Sequence, residues 1–478
     1  MQRVQQGGVK GGSRLSALGS RRQSLHMERP LHYPLRNSYG TMMTRLFKIG
    51  GTLLFTVTIA LLALVGWQTV TRGTPVGEIR LQSDRNTGVP PVTDSLFSHV
   101  IEMFSSLHVE AGNDVQILEN GDGTYPPLWR DLAAAQRTIT VQMYFSQPGA
   151  LADSMAKYLI DRARNKVRVL LLFDAFGSGP LLDDEAYVRR LREAGVEVAQ
   201  LRPVHWYSLN KANNRSHVRV VTIDGQVGYT GGFGLADYWR GNGRREGQWR
   251  ETNVRFEGPA VMQLQATFAA AWAEATHELL VGDAFFPRSG FASEGAVAAG
   301  VLHALPTTGS TPAERFMALS IASAAKTLYI TNSYFVPDDD FRRFLIAAAR
   351  RGVDVRILTA GEKTDIKTTT YAGRARYEEL LGEGVRIYEY LPTMMHAKTM
   401  VVDGLWGTIG SLNFDNRSLA FNNESNLVTL DPTVGAAMDR MFLEDLRFSK
   451  EQTLAEFRKR PWMEKALEQG ANLLSRLL

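Results

Sequence analysis

One pattern of ten residues occurs twice in the chain and limits its possible folds more than any other feature. The first copy runs from Ser216 to Gly225 and the second from Met395 to Gly404. In both copies a histidine is followed after two positions by a cation and after seven by an aspartate, and a further glycine follows that aspartate after seven more. A spacing that agrees at so many positions indicates an internal duplication. We therefore expect two copies of one structural unit.

Each copy is predicted to form a strand and a turn, because Asp-Gly after a run of β-branched residues favours a hairpin. Side chains two positions apart on a strand share one face, so His396 is expected to lie beside Lys398. Ser411 and Asn413 follow on the returning segment. A histidine, a cation and two small polar side chains in this arrangement would form a cup for an anionic group.

Acidic residues accompany both copies. An aspartate, Asp224 or Asp403, sits at each predicted turn, an odd number of positions after its histidine. Successive side chains of a strand point to opposite faces, so both aspartates are expected to point away from the histidines and to hold the site in shape. Glu251 and Glu424 each begin a Glu-x-Asn pattern after the motif. The duplication therefore extends beyond the ten residues.

Strand and helix patterns alternate along most of the chain. A β-branched run at 138–145 precedes an amphipathic stretch and an apolar run at 167–173, and residues 327–358 repeat that order. Alternation of this kind favours a mostly parallel or mixed sheet covered by helices. The predicted fold class is α/β, with two pseudo-symmetric α/β/α repeats at residues 94–295 and 296–478.

The N-terminal region differs in composition from the rest. Residues 1–48 contain nine Lys/Arg and one acidic residue, and are predicted to be a disordered basic tail. Residues 49–71 contain no charged residue and are long enough for a transmembrane helix. A buried core helix, or a cleaved signal peptide beginning near Met42, are the alternatives. Residues 72–93, with several Gly and Pro, are predicted to be a linker.

The charge distribution bears on partners and on topology. The net charge of +5 comes from the tail, because the remaining residues have a small acidic excess. Nucleic acid is therefore not expected as a partner. A basic flank on the N-terminal side of a single span places the body on the outer face, which in a bacterium is the periplasmic face of the inner membrane.

Metal and thiol chemistry find little support in the sequence. The chain has no cysteine, which excludes disulfides, thiolate nucleophiles and Cys-based metal sites. The acidic run Asp338-Asp339-Asp340 lies between a proline and Phe341, where acidic residues favour the start of a helix. No metal site is therefore predicted.

The duplicated motif resembles the signature of the phospholipase D superfamily. The His-x-Lys/Arg-x4-Asp element occurs twice, each time with trailing glycines and Glu-x-Asn, and the chain is most similar to bacterial cardiolipin synthases. The resemblance covers about residues 108–478 and also rests on Tyr144-Phe145, Asp174–Ser178, Gly258–Val261 and Gly410–Ser418. It implies that both predicted repeats are phospholipase D-like and that the protein acts on phospholipid.

The resemblance implies a chemistry that two histidines can perform. One histidine attacks the phosphorus of a phosphodiester to give a phosphohistidine, and the other protonates the leaving oxygen and then deprotonates the incoming alcohol or water. The family usually uses the histidine of the first half as nucleophile, so His217 is expected in that role and His396 as the acid. Arg219, Lys398 and Asn413 are expected to hold the phosphoryl oxygens, so that neither a metal nor a cofactor is required.

The resemblance also assigns supporting roles. Glu251 and Glu424 match acidic residues that orient the imidazoles. The candidate catalytic residues are His217, Arg219, Asp224, His396, Lys398 and Asp403. The candidate supporting and phosphate-binding residues are Glu251, Glu424, Ser411, Asn413 and Gly232.

Two positions depart from the family pattern. Arg219 stands where the family usually has lysine, and Gly234 stands where the second repeat has Asn413. Arginine keeps the positive charge and can bind a phosphate through two hydrogen bonds, but it is longer and planar. The expected site is therefore not strictly symmetric.

The function implied by the resemblance is that of a cardiolipin synthase. Such an enzyme transfers a phosphatidyl group from one phosphatidylglycerol to a second and releases glycerol. A phospholipase D or phosphodiesterase would differ only in using water as acceptor, and a membrane scaffold with a degenerate first motif is a non-catalytic alternative. The sequence leaves the acceptor and the oligomeric state open.

Overall fold

The computed structural model describes most of the chain. The described residues are 38–71, 76–79, 89–203, 214–287, 295–307 and 309–475. Most of the predicted tail (1–48) and of the predicted linker (72–93) lies outside the described residues.

The N-terminal helix α1 spans Ser38–Thr71. It ends where the predicted span ends, but it begins at Ser38 and so includes the last part of the predicted tail. The segment Phe47–Leu64 within it is apolar and long enough to cross a membrane. Helix α1 is therefore the candidate membrane anchor.

The described residues from Val76 onward form one compact unit. The elements before residue 288 are α2 Ser95–Ser105, β1 Glu110–Glu119, α3 Asn120–Ala134, β2 Thr138–Met143, α4 Ala150–Arg164, β3 Arg168–Asp174, α5 Gly179–Leu182, α6 Glu185–Glu193, β4 Glu197–Leu201, β5 Val220–Ile223, β6 Val227–Gly231, β7 Trp249–Arg250, β8 Thr252–Glu257 and α7 Ala260–Thr276. We call residues 89–287 the first half.

The second half comprises residues 295–475. Its elements are β9 Val297–Ala304, α8 Pro312–Ala322, β10 Thr327–Asn332, α9 Asp339–Arg350, β11 Asp354–Ala360, α10 Lys367–Gly382, β12 Arg386–Tyr390, β13 Met394–Met395, β14 Lys398–Val402, β15 Trp406–Gly410, α11 Asn416–Ala420, β16 Glu424–Leu430, α12 Pro432–Leu446, β17 Ser449–Gln452, α13 Leu454–Arg458 and α14 Trp462–Asn472.

Fifteen of the described strands form a single mixed sheet. From its centre outward, the first half contributes β1-β8-β6-β5-β2-β3-β4 and the second half β9-β16-β15-β14-β10-β11-β12-β17. The seven strands of the first half correspond in order to the first seven of the second half, β17 is an additional edge strand, and β1 pairs with β9 antiparallel at the centre. The predicted α/β fold with two pseudo-symmetric repeats is confirmed. The sequence pattern did not show that the two repeats share one sheet.

Helices cover both faces of this sheet. Strand β3 is buried on both sides: Leu170 and Leu172 pack in the cluster that contains α7 and α12, whereas Val169 and Leu171 pack in the cluster that contains α3, α4 and α6. This explains why β3 is a continuous apolar run rather than an alternating one. The arrangement is a three-layer α/β/α sandwich.

Helix α2 packs away from its neighbours in sequence. Its N-cap residue is Asp94, whose side chain accepts the Leu96 N–H. Its Phe97 meets Trp406 edge to face with ring centroids 5.0 Å apart, in the core of the second half. The predicted first repeat (94–295) therefore includes a helix that belongs by packing to the second half.

Candidate active site

Both histidines lie at the junction of the two halves. The motif strands begin later than the sequence predicted, at Val220 and Lys398, so each histidine precedes its strand. The His217 N–H donates to the carbonyl oxygen of Asn423 at 2.9 Å, and the His396 N–H donates to that of Arg250 at 2.7 Å. Each motif is thus bonded to the segment that carries the glutamate of the other half.

The glutamates are exchanged between the halves. The Nδ1 atom of His217 lies 2.9 Å from Oε2 of Glu424 in the second half. The Nδ1 atom of His396 lies 2.5 Å from Oε2 of Glu251 in the first half. We call the first pair with its neighbours Ser411 and Arg219 the His217 half-site, and the second pair with Trp239 and Lys398 the His396 half-site. The sequence did not reveal which glutamate serves which histidine.

The hydrogen bonds fix the imidazole tautomer at His217. Its Nδ1 atom also lies 3.0 Å from the carbonyl oxygen of Ser411. A carbonyl oxygen only accepts hydrogen bonds, so Nδ1 carries the proton. The Nε2 atom of His217 is therefore the free, basic nitrogen, as a nucleophile requires.

The same argument applies at His396. Glu251 accepts the Thr252 N–H at 2.9 Å through Oε1 and the indole N–H of Trp239 at 3.3 Å through Oε2. A carboxylate surrounded by donors is an acceptor for His396 as well. Nδ1 of His396 is then the donor, and Nε2 is free to carry a proton to or from a substrate.

A cation lies beside each histidine. Arg219 donates to the His217 carbonyl oxygen at 2.7 Å, and Lys398 donates to the His396 carbonyl oxygen and, at 2.8 Å, to Ser333 Oγ. Both cations are about 1% exposed. Among the described residues, the Nε atom of Arg219 has no hydrogen-bond partner. A buried cation with a free donor is suited to an anionic ligand.

Aromatic rings complete the walls. Tyr144 lies edge-on to His217 and below the Arg219 guanidinium, and Tyr334 lies below the Lys398 ammonium at 5.9 Å. Trp249 and Trp239 contact the His396 ring at centroid distances of 4.9 and 5.5 Å. The His396 half-site is therefore the more aromatic of the two.

Burial and neighbouring charges shift the pKa values of both histidines downward. Burial and the cations Arg219 and Lys398 hold the pKa of His217 well below its ordinary value. Burial and Lys398 lower the pKa of His396 to about 4, although Glu251 opposes this shift. Burial also lowers the pKa of Lys398 to about 7. Both imidazoles are neutral at pH 7 while no anionic substrate is bound.

The two glutamates differ in charge. Burial raises the pKa of Glu424 to about 8, despite the Ser411 hydroxyl that donates to it at 2.6 Å. Burial also acts on Glu251, but His396 and Lys398 outweigh it and lower the pKa of that carboxyl. At pH 7 Glu251 is ionised, whereas Glu424 is mostly protonated. The carboxylate charge therefore lies on the His396 side.

The two motif aspartates lie away from the histidines. Asp224 accepts the backbone N–H groups of Gln136, Arg137 and Thr138, the last at 2.9 Å. Asp403 likewise accepts three consecutive backbone N–H groups at the start of β10, from Ala325 to Thr327. Both aspartates have positive φ, 56° and 53°, at the turns of their hairpins. They join the motif strands to β2 and β10 and touch no reacting group.

Gly232 and Ser411 occupy corresponding positions with different roles. The Gly232 N–H donates to Asn253 Oδ1 at 3.0 Å, so it is not available to a phosphate. A Cβ atom at Gly232 would lie 2.5 Å from the Glu251 carboxylate, so the glycine makes room for that side chain. Ser411 instead supports Glu424 with its hydroxyl.

Gly234 and Asn413 also differ. The Asn413 Nδ2 group donates to Ser418 Oγ at 3.3 Å, and Asn413 Oδ1 has no hydrogen-bond partner among the described residues. A Cβ atom at Gly234 would lie 2.6 Å from the Trp239 ring. The space that corresponds to the Asn413 side chain is therefore filled by Trp239.

Sequence reasoning missed several residues of the site. Tyr144 directly follows β2 and Tyr334 follows β10 after Ser333, and each opens a Tyr-Phe pair, a repeat that was visible in the sequence. Trp239 gave no such signal, because the second half has no tryptophan at the corresponding position.

Among the described residues, no group of three or more His, Cys, Asp or Glu could hold a metal ion. Asp338 is the N-cap of α9 and accepts the Phe341 N–H at 2.9 Å, as the helix-start interpretation predicted.

The chain is similar to a known protein family. The sequence profile of the family described as "Cardiolipin synthase, PLD-like domain" matches residues 128–272 and 317–446. The cardiolipin synthase of Geobacillus kaustophilus is 33% identical over 371 residues, which cover 77% of this chain and 73% of that protein. The probable cardiolipin synthase YwiE of Bacillus subtilis is 30% identical over 396 residues, covering 82% and 77%.

Solved structures show the same fold at low sequence identity. The phosphatidylserine synthase of Haemophilus influenzae superposes with a TM-score of 0.63 over 80% of this chain and all of that chain, at 11% identity. The polyphosphate kinase of Porphyromonas gingivalis superposes with a TM-score of 0.50 over 82% of this chain, also at 11% identity.

Proposed function

Because the chain belongs to the cardiolipin synthase family of phospholipase D-like proteins, we propose that it joins two phosphatidylglycerol molecules into cardiolipin and releases glycerol. The observation that carries this proposal is the pair of buried histidines, each held through Nδ1 by a glutamate of the other half. That arrangement leaves two Nε2 atoms for one phosphodiester, one to attack phosphorus and one to handle the proton.

In the first step, Nε2 of His217 attacks the phosphorus of one phosphatidylglycerol. A bond forms between nitrogen and phosphorus, the bond from phosphorus to the glycerol oxygen breaks, and His396 gives that oxygen a proton. His217 suits the nucleophile because its pKa is held well below its ordinary value and its partner Glu424 is mostly protonated, so the imidazole stays neutral.

His396 suits the acid because Glu251 beside it is ionised and stabilises an imidazolium. Its pKa is about 4 in the free protein. A bound phosphodiester adds a negative charge beside the ring and raises the pKa from that value.

In the second step, glycerol has left and the headgroup hydroxyl of a second phosphatidylglycerol approaches. Neutral His396 takes the hydroxyl proton, the oxygen attacks phosphorus, and the bond from phosphorus to His217 breaks. The products are cardiolipin and glycerol, and both histidines return to their starting states. Lys398, Arg219 and Asn413 surround the place where negative charge accumulates in both steps.

The rings around His396 favour an alcohol over water as acceptor. Trp239 is 2% exposed, and Trp249 packs against the imidazole at a tilt of 32°, with ring centroids 4.9 Å apart. Apolar surface at the proton-transferring nitrogen limits the number of water molecules that His396 can activate. This observation favours the transferase over the hydrolase.

The protein is membrane-associated through α1. We propose that the body lies on the outer side of the inner membrane, and the basic residues on the N-terminal side of the apolar segment support this orientation. A single cysteine introduced into the cysteine-free body would react with an impermeant maleimide in intact spheroplasts. Labelling only after lysis would show that the body lies on the cytoplasmic side instead.

The test of the function uses the full chain in detergent with phosphatidylglycerol, followed by mass spectrometry of the lipids. The expected products are cardiolipin and glycerol, both absent with the His396→Ala variant. Phosphatidic acid as the main product would make the protein a phospholipase. No product from the wild-type protein would contradict both activities and favour the scaffold.

A further inference from the structure

The first half lacks the two polar side chains that support the glutamate and line the site in the second half. Ser411 donates to Glu424 at 2.6 Å, and Asn413 lies two positions later. The corresponding residues of the first half are Gly232 and Gly234, which have no side chain. From these positions alone, Glu251 would have one supporting donor fewer than Glu424.

Trp239 supplies the missing donor from outside the motif. It lies at the end of a 3-10 turn, Asp237–Trp239, and its indole N–H donates to Oε2 of Glu251 at 3.3 Å. That oxygen is also the partner of His396 Nδ1. An indole N–H donates and never accepts, so it stabilises the ionised form of Glu251.

Glycines make the space that Trp239 occupies. A Cβ atom at Gly234 would lie 2.6 Å from the indole ring, and one at Gly121 would lie 2.2 Å from the Trp239 carbonyl oxygen. Gly232 leaves room for the Glu251 carboxylate itself. The glycines and Trp239 therefore pack together, and the indole ring fills the space that a side chain at position 234 would occupy.

We propose that Trp239 is a positioning residue for the Glu251–His396 pair and replaces, in the first half, the supporting hydroxyl that Ser411 provides in the second. It keeps Glu251 ionised and aimed at Nδ1 of His396, and its ring contacts the imidazole edge to face at 5.5 Å. Under this proposal, Gly234 does not indicate that the first motif is degenerate. It is the residue that admits the tryptophan.

The inference rests on the proposed transferase chemistry, and its test separates the two. The full chain is prepared with Trp239→Phe and with 3-benzothienylalanine at position 239, which keeps the size of the indole and removes only the N–H. Trp272→Phe is the matched control, because the Trp272 indole donates to Glu278 at 3.0 Å in a buried position of α7. Wild-type protein without activity on phosphatidylglycerol would count against the proposed function and not against the position of Trp239.

The expected result is a kcat about tenfold lower for both position-239 variants, the effect of losing one hydrogen bond to a charged group, with KM changed less than twofold. Loss of a donor raises the pKa of Glu251, so the acidic limb of the kcat profile moves to higher pH. Trp272→Phe is expected to keep the wild-type kcat and pH profile.

A benzothienylalanine variant with wild-type kcat and an unmoved acidic limb would overturn the proposal, as would an equal loss of kcat in Trp272→Phe. Thermal unfolding of all variants identifies any loss that comes from misfolding; if Trp239→Phe does not fold, the benzothienylalanine variant decides.

Discussion

The two half-sites have the same backbone frame and different electrostatics. In both, a histidine precedes a motif strand, donates its N–H to the other half and receives that half's glutamate. Around His217 the glutamate is mostly protonated and the cation is an arginine, whereas around His396 the glutamate is ionised and the cation is a lysine with a pKa of about 7. Duplication thus gave two similar sites, and a few substitutions gave them different charges.

This difference supports the chemical roles that we propose. A nucleophile has to be neutral, and a proton carrier has to be stabilised when charged. The mostly protonated Glu424 and the nearby cations keep His217 neutral, which suits it to the first role, and the ionised Glu251 suits His396 to the second. Strict symmetry would leave the two roles interchangeable.

The largest effects are expected from the histidines themselves. Loss of either imidazole should lower kcat by about 10⁴ or more, since the two act as a unit. A phosphatidyl ester with a p-nitrophenyl leaving group, which needs no acid, should still label His217 in His396→Ala and should label nothing in His217→Ala. Rapid quenching and peptide mass spectrometry identify the histidine that carries the phosphatidyl group. A phosphate on His396 would reverse the roles.

The next effect compares the glutamates. Glu251→Gln removes a charge that supports the proton carrier, so kcat at pH 7 should fall by on the order of 10². Glu424→Gln replaces a carboxyl that is already mostly protonated at that pH, because its pKa is about 8, and the loss should be several times smaller. Both variants keep a similar shape and an oxygen acceptor. Equal losses would contradict the difference in charge between the half-sites.

The cations give a smaller and pH-dependent effect. Lys398 loses its charge as the pH rises through about 7, whereas a guanidinium keeps its charge at every accessible pH. The value of kcat/KM, which reports the free enzyme, should therefore fall about fivefold from pH 7 to pH 8, the change in the charged fraction of one such lysine. Arg219→Lys should make the fall steeper and Lys398→Arg should remove it. A flat profile for the wild type would show that another group controls the alkaline side.

Much of this was accessible from the sequence, for physical reasons. The spacing of His217, Arg219 and Asp224 is repeated at His396, Lys398 and Asp403 because a strand and its turn have a fixed geometry. The exchange of Glu251 and Glu424 depends on the pairing of β1 with β9, which joins distant segments that no local pattern encodes. Trp239 was missed because it lies at a different position of the repeat from Ser411 and Asn413, the residues of the second half with which we compare it.

The smallest effect on activity is expected at the motif aspartates, where the two halves agree most closely. Asp224→Ala and Asp403→Ala each remove the acceptor of three backbone N–H groups at the start of a central strand. Some of these groups are exposed to water, so the free energy of unfolding should fall by about 1–3 kcal/mol in each variant. Urea unfolding measures that loss, and kcat well below the transition should stay within about threefold of wild type, because neither side chain touches a reacting group. A much larger loss of kcat in one folded variant than in the other would show that the frame, and not only its electrostatics, differs between the halves.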